Sequence, residues 1–371
     1  MGLSTPGAGA TPSFFRPPLP PGSSLARPSS TAAPPPPAPP RAPGPTDAAP
    51  LPPAVPAGFA VRRLVFHGSG GSLFGIHLVN ILLTIVTLGV YYFWAKVRVR
   101  QYLLGQTAFE GDRFAYHGTG RELLIGFAKA LIVFGVPALG LILVRDILDV
   151  PEEIKGLAAF AVSALILVVL PLAMVSARRY RLSRTSWRGI RFSFRGRPWE
   201  FVKVFVAGTV LSALTFGLYY PFFDTRRFDF MMSHAYFGNR RFWFDGRGWD
   251  LLPRFLLTVL LALPTVGLSI VWYVARKRRY FWSHSGIAAA RFRSTVRGGP
   301  LLGLWAGNLA LLVLTLGFGW PWARVRSVRF ALRYLTLEGP LDIAAIEQEA
   351  QTASATGEGL STFLDSGFDF G

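Results

Sequence analysis

The chain has 371 residues, 51% hydrophobic and 14% aromatic, and 39 Lys and Arg against 20 Asp and Glu give it a formal charge of +19. That charge would suit a nucleic-acid binder, but the cations gather beside apolar stretches of helix-spanning length. Membrane topology and anionic lipid account for them there, and no nucleic-acid partner is expected. Cysteine is absent, which excludes disulfides and thiolate metal sites.

Residues 1–57 hold most of the 29 prolines, among Ala, Ser and Gly. Such a composition buries too little apolar surface to offset chain entropy, so a disordered N-terminal tail is expected. It lacks a basic region ahead of a compact apolar core and does not read as a secretory signal. Residues 58–340 read as one polytopic membrane domain, and 341–371 as an acidic, flexible C-terminal tail. A spanning helix needs about 20 mostly apolar residues. Six segments have them: 72–94, 121–145, 154–177, 198–223, 251–275 and 300–322.

A repeat organises these segments. From Asn80 to Tyr102 an apolar helix runs through a Thr-x-Gly step into aromatics and then cations, the order needed where a helix leaves the bilayer. Counting from Thr87, Trp94 lies seven residues on, Arg98 eleven and Tyr102 fifteen. The same offsets from Thr215 reach Phe222, Arg226 and Phe230, and from Thr265 they reach Trp272, Arg276 and Tyr280. From Thr315 they reach Trp322, Arg326 and Phe330. A degraded copy has Leu165, Leu172, Ser176 and Tyr180. After each basic stretch, an alternating segment such as IRFSFR (190–195) favours a short half-buried strand. The expected fold class is therefore an all-α polytopic membrane protein. It has about six transmembrane helices in repeats of about 50 residues, with short β-hairpins in the basic loops.

Six crossings put loops 95–121, 178–197 and 276–297, the richer in Lys and Arg, in the cytoplasm and both termini outside. Homologous loops then face opposite compartments. A competing topology makes each apolar segment re-entrant, kinked at Thr-x-Gly, with every basic loop cytoplasmic. Its difficulty is length, because about 24 apolar residues cannot cross twice.

His77, Asn80, Thr84 and Thr87 share one face of the first helix, and Asn308 precedes Thr315 as Asn80 precedes Thr87. Polar groups at membrane depth must look inward. They read as glue between helices, or as the lining of a solute path with His77 as a protonatable member. No membrane-centred carboxylate is read that would couple transport to protons. Arg98, Arg226, Arg276 and Arg326 are expected to meet lipid phosphates and set topology, or to pair with Glu110, Asp112 and Asp245. Trp94, Phe222, Trp272 and Trp322 read as an aromatic belt. Lys129, Lys203 and Arg254 read as snorkelling anchors. The motifs GxxxxGK[ST], HExxH and GxSxG are missing, and the scattered histidines lack ligand spacing. No enzyme activity, cofactor or metal is expected.

Five stretches carry a resemblance: FHGSGG from Phe66, NILLTIVTLGVYYFWAKVRVRQY from Asn80, TAFEG from Thr107, FAYHG from Phe114 and NLALLVLTLGFGWPWARVRSVRF from Asn308. Over about residues 64–340 the chain resembles the YjgN-like family of bacterial inner-membrane proteins. The resemblance implies an inner-membrane location and a polytopic helical fold, and no activity. The functional expectation is a non-enzymatic multi-pass protein, a channel or transporter for a small polar solute. The alternative is a membrane scaffold that binds lipids or envelope partners. The bilayer, its anionic headgroups and further copies of the chain are the partners considered.

Overall fold

The structure is a computed structural model and describes residues 61–146, 150–343 and 346. The proline-rich tail, Asp149 in the acidic turn and most of the acidic C-terminal segment lie outside the described residues. Strand β1 (Val61–Phe66) comes first, and five rounds of paired helices then follow. The first round is α1 (Gly70–Val86), α2 (Tyr92–Gly105), β2 (Thr107–Phe109) and β3 (Asp112–Tyr116). The second has α3 (Gly120–Ala130) and α4 (Val136–Asp146), joined by a π-helical turn, then α5 (Glu152–Ser183), β4 (Thr185–Trp187) and β5 (Ile190–Phe194). The third is α6 (Pro198–Leu214), α7 (Tyr220–Ser233), β6 (Ala235–Phe237) and β7 (Arg240–Phe244). The fourth is α8 (Gly248–Ala262), α9 (Ser269–Ser283), β8 (Ser285–Ile287) and β9 (Ala290–Ser294). The fifth is α10 (Gly298–Leu314), α11 (Trp320–Arg333) and a single strand, β10 (Leu335–Glu338).

The Thr-x-Gly step is where each short helix pair reverses. Thr87 Oγ1 donates to the Leu83 carbonyl at 2.7 Å and accepts the Tyr91 N–H at 2.9 Å, so one hydroxyl ends the rising helix and starts the descending one. Gly89, at φ 93, carries an N–H that reaches back to the Thr84 carbonyl at 2.7 Å, satisfying a carbonyl the helix end would leave bare. Thr215, Thr265 and Thr315 each accept the N–H four residues on. Gly217, Gly267 and Gly317 repeat the left-handed turn.

Hairpins of three and five residues are marginal alone. Here they close on one another, in the order β1-β10-β9-β8-β7-β6-β5-β4-β3-β2. The ring shuts because β1 pairs antiparallel with both β10 and β2, so the first strand completes the last hairpin. Closure removes every sheet edge. Alternation then sends one face inward. Phe114 stands opposite Trp187, Phe192 opposite Phe237, Phe242 opposite Ile287, and Phe292 opposite Leu337. These side chains fill the barrel, and Leu341, Ile343 and Ile346 pack against them. One residue before each inward position, Arg63, Arg113, Arg191, Arg241 and Arg291 point out to solvent.

The helices form a second ring, each touching its neighbours in chain order, with α11 returning to α1. This overturns the all-α, six-span expectation. Four of the six apolar segments are one rising helix plus the first turn of its descending partner. Two described helical stretches, Gly120–Asp146 and Glu152–Ser183, are long and apolar enough to cross a membrane. The assignment of homologous loops to opposite sides falls with it. Loops 95–121, 178–197, 224–250 and 276–297 all give strands to one barrel, which is possible only if they share a side. Apolar length was the misleading signal, because hydropathy does not register a reversal made by two left-handed residues.

Candidate functional site: the outer belt of the helix ring

The outer belt is built in tiers that follow the repeat. At each tip the residue after Thr is large, apolar and not glycine, yet left-handed: Leu88, Phe216, Val266 and Leu316 have φ between 49 and 50°. They are 95, 97, 94 and 88% exposed. Left-handed backbone costs such residues about 1 kcal/mol or more, and for β-branched valine it is an outlier.

Seven residues past each Thr, the expected belt aromatics act as joints between rounds. A Cβ on Gly120 would lie 2.5 Å from Trp94 Cγ, on Gly248 2.6 Å from Phe222 Cδ1, and on Gly298 2.7 Å from Trp272 Cδ1. Each ring therefore sits on the first-turn glycine of the next rising helix. Trp322 also lies 4.9 Å from Phe74, ring to ring.

Eleven residues on, Arg98, Arg226, Arg276 and Arg326 are all exposed. They lie on the outer face, beside the aromatics and nearer the barrel. None has a carboxylate partner among the described residues. Arg98 lies over the Tyr91 ring at 5.7 Å, and Arg326 reaches the Gly307 carbonyl at 3.5 Å. The loop acids expected to pair with them are engaged elsewhere: Glu110 with Arg62, Asp112 with Arg188, and Asp245 with Arg291. Beneath this tier, the fifteenth residue closes the base of the hairpin by hydrogen bonds where it is a tyrosine, and is Phe230 or Phe330 in the other two rounds. Tyr102 Oη donates to the Ser69 carbonyl at 2.9 Å and accepts its N–H at 2.8 Å. Tyr280 does the same at Arg247 and also bonds Asp250. Burial and that carboxylate push the Tyr280 hydroxyl up to about 12.

The polar residues of the first helix divide among separate tasks. His77 stacks on Trp320 of α11 at 4.9 Å. Asn80 is buried and donates to the Ala95 carbonyl of α2 at 3.4 Å. Thr84 bonds its own helix at Asn80, and Thr87 and Thr315 cap the tips. Asn308 repeats Asn80, donating to Ala323 and to Ser327 Oγ at 3.0 Å.

Sequence reasoning missed Asp224. It lies one turn below a tip and is 3% exposed, a carboxylate buried within the helix ring. Arg227 Nη2 lies 2.6 Å from Oδ1 and Lys277 Nζ 2.9 Å from Oδ2, which joins α7 to α9, second neighbours in the ring. The signal was available in the offsets. Asp224 stands nine residues after Thr215, where the first and last rounds have Lys96 and Arg324. No group of three or more His, Cys, Asp or Glu among the described residues could hold a metal ion.

A family model described as a bacterial protein of unknown function matches residues 61–271 and 254–363. Among curated relatives, inner membrane protein YjgN of Salmonella typhimurium is 36% identical over 132 residues, which are 36% of this chain and 31% of the relative. Inner membrane protein YjgN of Escherichia coli O157:H7 is 37% identical over 130 residues, 35% of this chain and 30% of the relative. The matched stretch thus spans about a third of each relative's length. No solved structure matches the chain. These matches bear out the resemblance read from the first round.

Proposed function

The chain belongs to the DUF898 family of bacterial proteins, and we propose that it is a non-enzymatic scaffold of the inner membrane. In this reading the helix ring is sunk into the bilayer and the β-barrel stands in the cytoplasm. The tip residues carry the proposal. At the exposed hairpin turns of the barrel the same left-handed conformation carries Glu110, Arg188 and Ala288, whereas four tips place Leu, Phe, Val and Leu there, nearly fully exposed. Backbone strain accepted to hold an apolar side chain in the open is accounted for if lipid surrounds it.

The depth agrees. Below the tip turn, α2 runs six residues from Tyr92 to Arg98, about 9 Å of helix and within half of a hydrocarbon core of about 30 Å. Four hairpins are therefore re-entrant within one leaflet. The second round differs, because helices of 27 and 32 residues rise about 40 and 48 Å, enough to cross. Its far end carries Arg145, Asp146, Glu152, Glu153 and Lys155, while most of the other described Lys and Arg lie in the lower halves of the descending helices and in the hairpins. The positive-inside rule then puts the barrel in the cytoplasm. Against transport, the polar residues expected to line a path are spent on caps and contacts between helices.

The test uses the lack of cysteine. Single cysteines at His117, His234 and Glu152 are exposed in intact cells to a membrane-impermeant thiol reagent. Labelling of Glu152→Cys alone is expected. Opposite behaviour of His117→Cys and His234→Cys would sink the shared-side topology, and with it the scaffold reading.

A further inference from the structure

The first round has an open groove of about 490 Å³ between α1 and α2, lined by Gly75, Ile76, Val79, Arg98, Gln101 and Tyr102. We infer that this groove binds one anionic phospholipid, with its phosphate against Arg98 and Gln101 and an acyl chain running up α1. The inference rests on the membrane placement proposed above.

The two walls differ in chemistry in the way an amphiphile requires. On the α2 side, Arg98 and Gln101 are exposed and one turn apart, so their donors point into the same space. Arg98 has no carboxylate partner among the described residues, and its guanidinium carbon lies 5.7 Å from the centre of the Tyr91 ring. That cation–ring contact uses none of its N–H donors, which stay available to a phosphate in the groove that Arg98 lines. Tyr102 is different, since its hydroxyl is committed to Ser69 on both sides and only its ring walls the groove.

On the α1 side nothing polar faces the groove. A Cβ on Gly75 would meet no atom within 4 Å, so this glycine keeps the floor open without being needed for packing. From Val79 the apolar stripe continues through Leu82 and Val86, at helical spacing towards the tip. These residues are 46, 62 and 70% exposed. A chain laid on that stripe runs from the arginine tier to the tip, the direction a lipid tail takes from its phosphate. The charge selects the headgroup. Arg98 faces the site uncompensated, so a net-negative lipid is favoured over a zwitterionic one, by about fivefold for one surface arginine.

The experiment counts lipids retained on the full chain by native mass spectrometry, after exchange with phosphatidylglycerol or phosphatidylcholine. Wild type is expected to keep phosphatidylglycerol in preference, by about fivefold. Arg98→Gln and Gly75→Leu should each lose one phosphatidylglycerol, and the double variant no more than one. The leucine lies inside a helix and raises its propensity, so loss of fold is not the expected outcome. Equal retention of the two lipids, an unchanged count in either variant, or loss of two lipids in the double variant overturns the site. Displacement by inorganic phosphate at comparable concentration would also overturn it, by identifying a free-anion site. Alkaline carbonate extraction separates this inference from its premise. Release of the chain removes the membrane placement, whereas retention without lipid preference removes only the groove.

Discussion

The indole of Trp322, in the last helix, lies on Gly70, the first residue of the first, so closely that a Cβ there would stand 2.3 Å from Trp322 Cδ1. The two are more than 250 positions apart in the chain, and their contact closes the helix ring as β1 and β10 close the barrel.

Gly70→Ala should therefore destabilise the fold by about 1–3 kcal/mol, because the methyl overpacks a joint that cannot open without parting α1 from α11. Adding Trp322→Leu should recover part of that loss, since the shorter side chain makes room. Thermal melts of the two variants in detergent decide it, and equal loss in single and double variants would refute the joint.

Two glycines with open surroundings should answer differently to alanine. Gly89 has φ 93 and Gly75 is helical, and neither would place a Cβ within 4 Å of another atom. Gly89→Ala should cost about 1 kcal/mol or more through backbone strain alone. Gly75→Ala should be neutral or stabilise by up to about 1 kcal/mol through helix propensity. Denaturation midpoints of the pair would show the contrast.

Asp224 and Lys277 form a pair whose carboxylate is 3% exposed. Asp224→Asn leaves two cations facing a neutral group and should cost about 3–5 kcal/mol, and Lys277→Met should cost less, because Arg227 still pairs with the carboxylate. The double variant should lose less than the sum of the singles, and a double-mutant cycle on unfolding measures the difference. Additive losses would mean that the two groups do not interact.

Leu64 faces the barrel interior opposite Phe109 across the β1–β2 seam. Leu64→Asp should break that seam, because an unpaired carboxylate in an apolar core costs several kcal/mol and bares the edges of β2 and β10. The expected result is aggregation on extraction. The outward-facing Arg63→Asp should remain monodisperse in size-exclusion chromatography.

The helix pairs were half legible. The four offsets from Thr87, Thr215, Thr265 and Thr315 marked the tip, joint, arginine and clamp positions, and the structure gives each of them one repeated place. What the offsets did not carry was partnership. Trp94 and Trp322 read as residues of a bilayer interface because aromatic rings beside cations suit one, and nothing local pointed to a glycine in another round. Asn80 and Thr84 read as neighbours on one face. They divide because one bond reaches α2 and the other stays within the helix.

Local chemistry by itself determined the repeat, the strands in the basic loops, the apolar character of the helices and the cationic bias beside them. These depend on composition and on spacings within a few turns, where propensity, alternation and hydropathy act. Only the tertiary structure decided that the strands of all rounds share one barrel, that β1 and β10 meet in it, and that four apolar segments turn back. Hydropathy sums apolar length along the chain and is blind to direction. Two left-handed residues reverse a helix without altering that sum, and barrel closure is a property of all ten strands together.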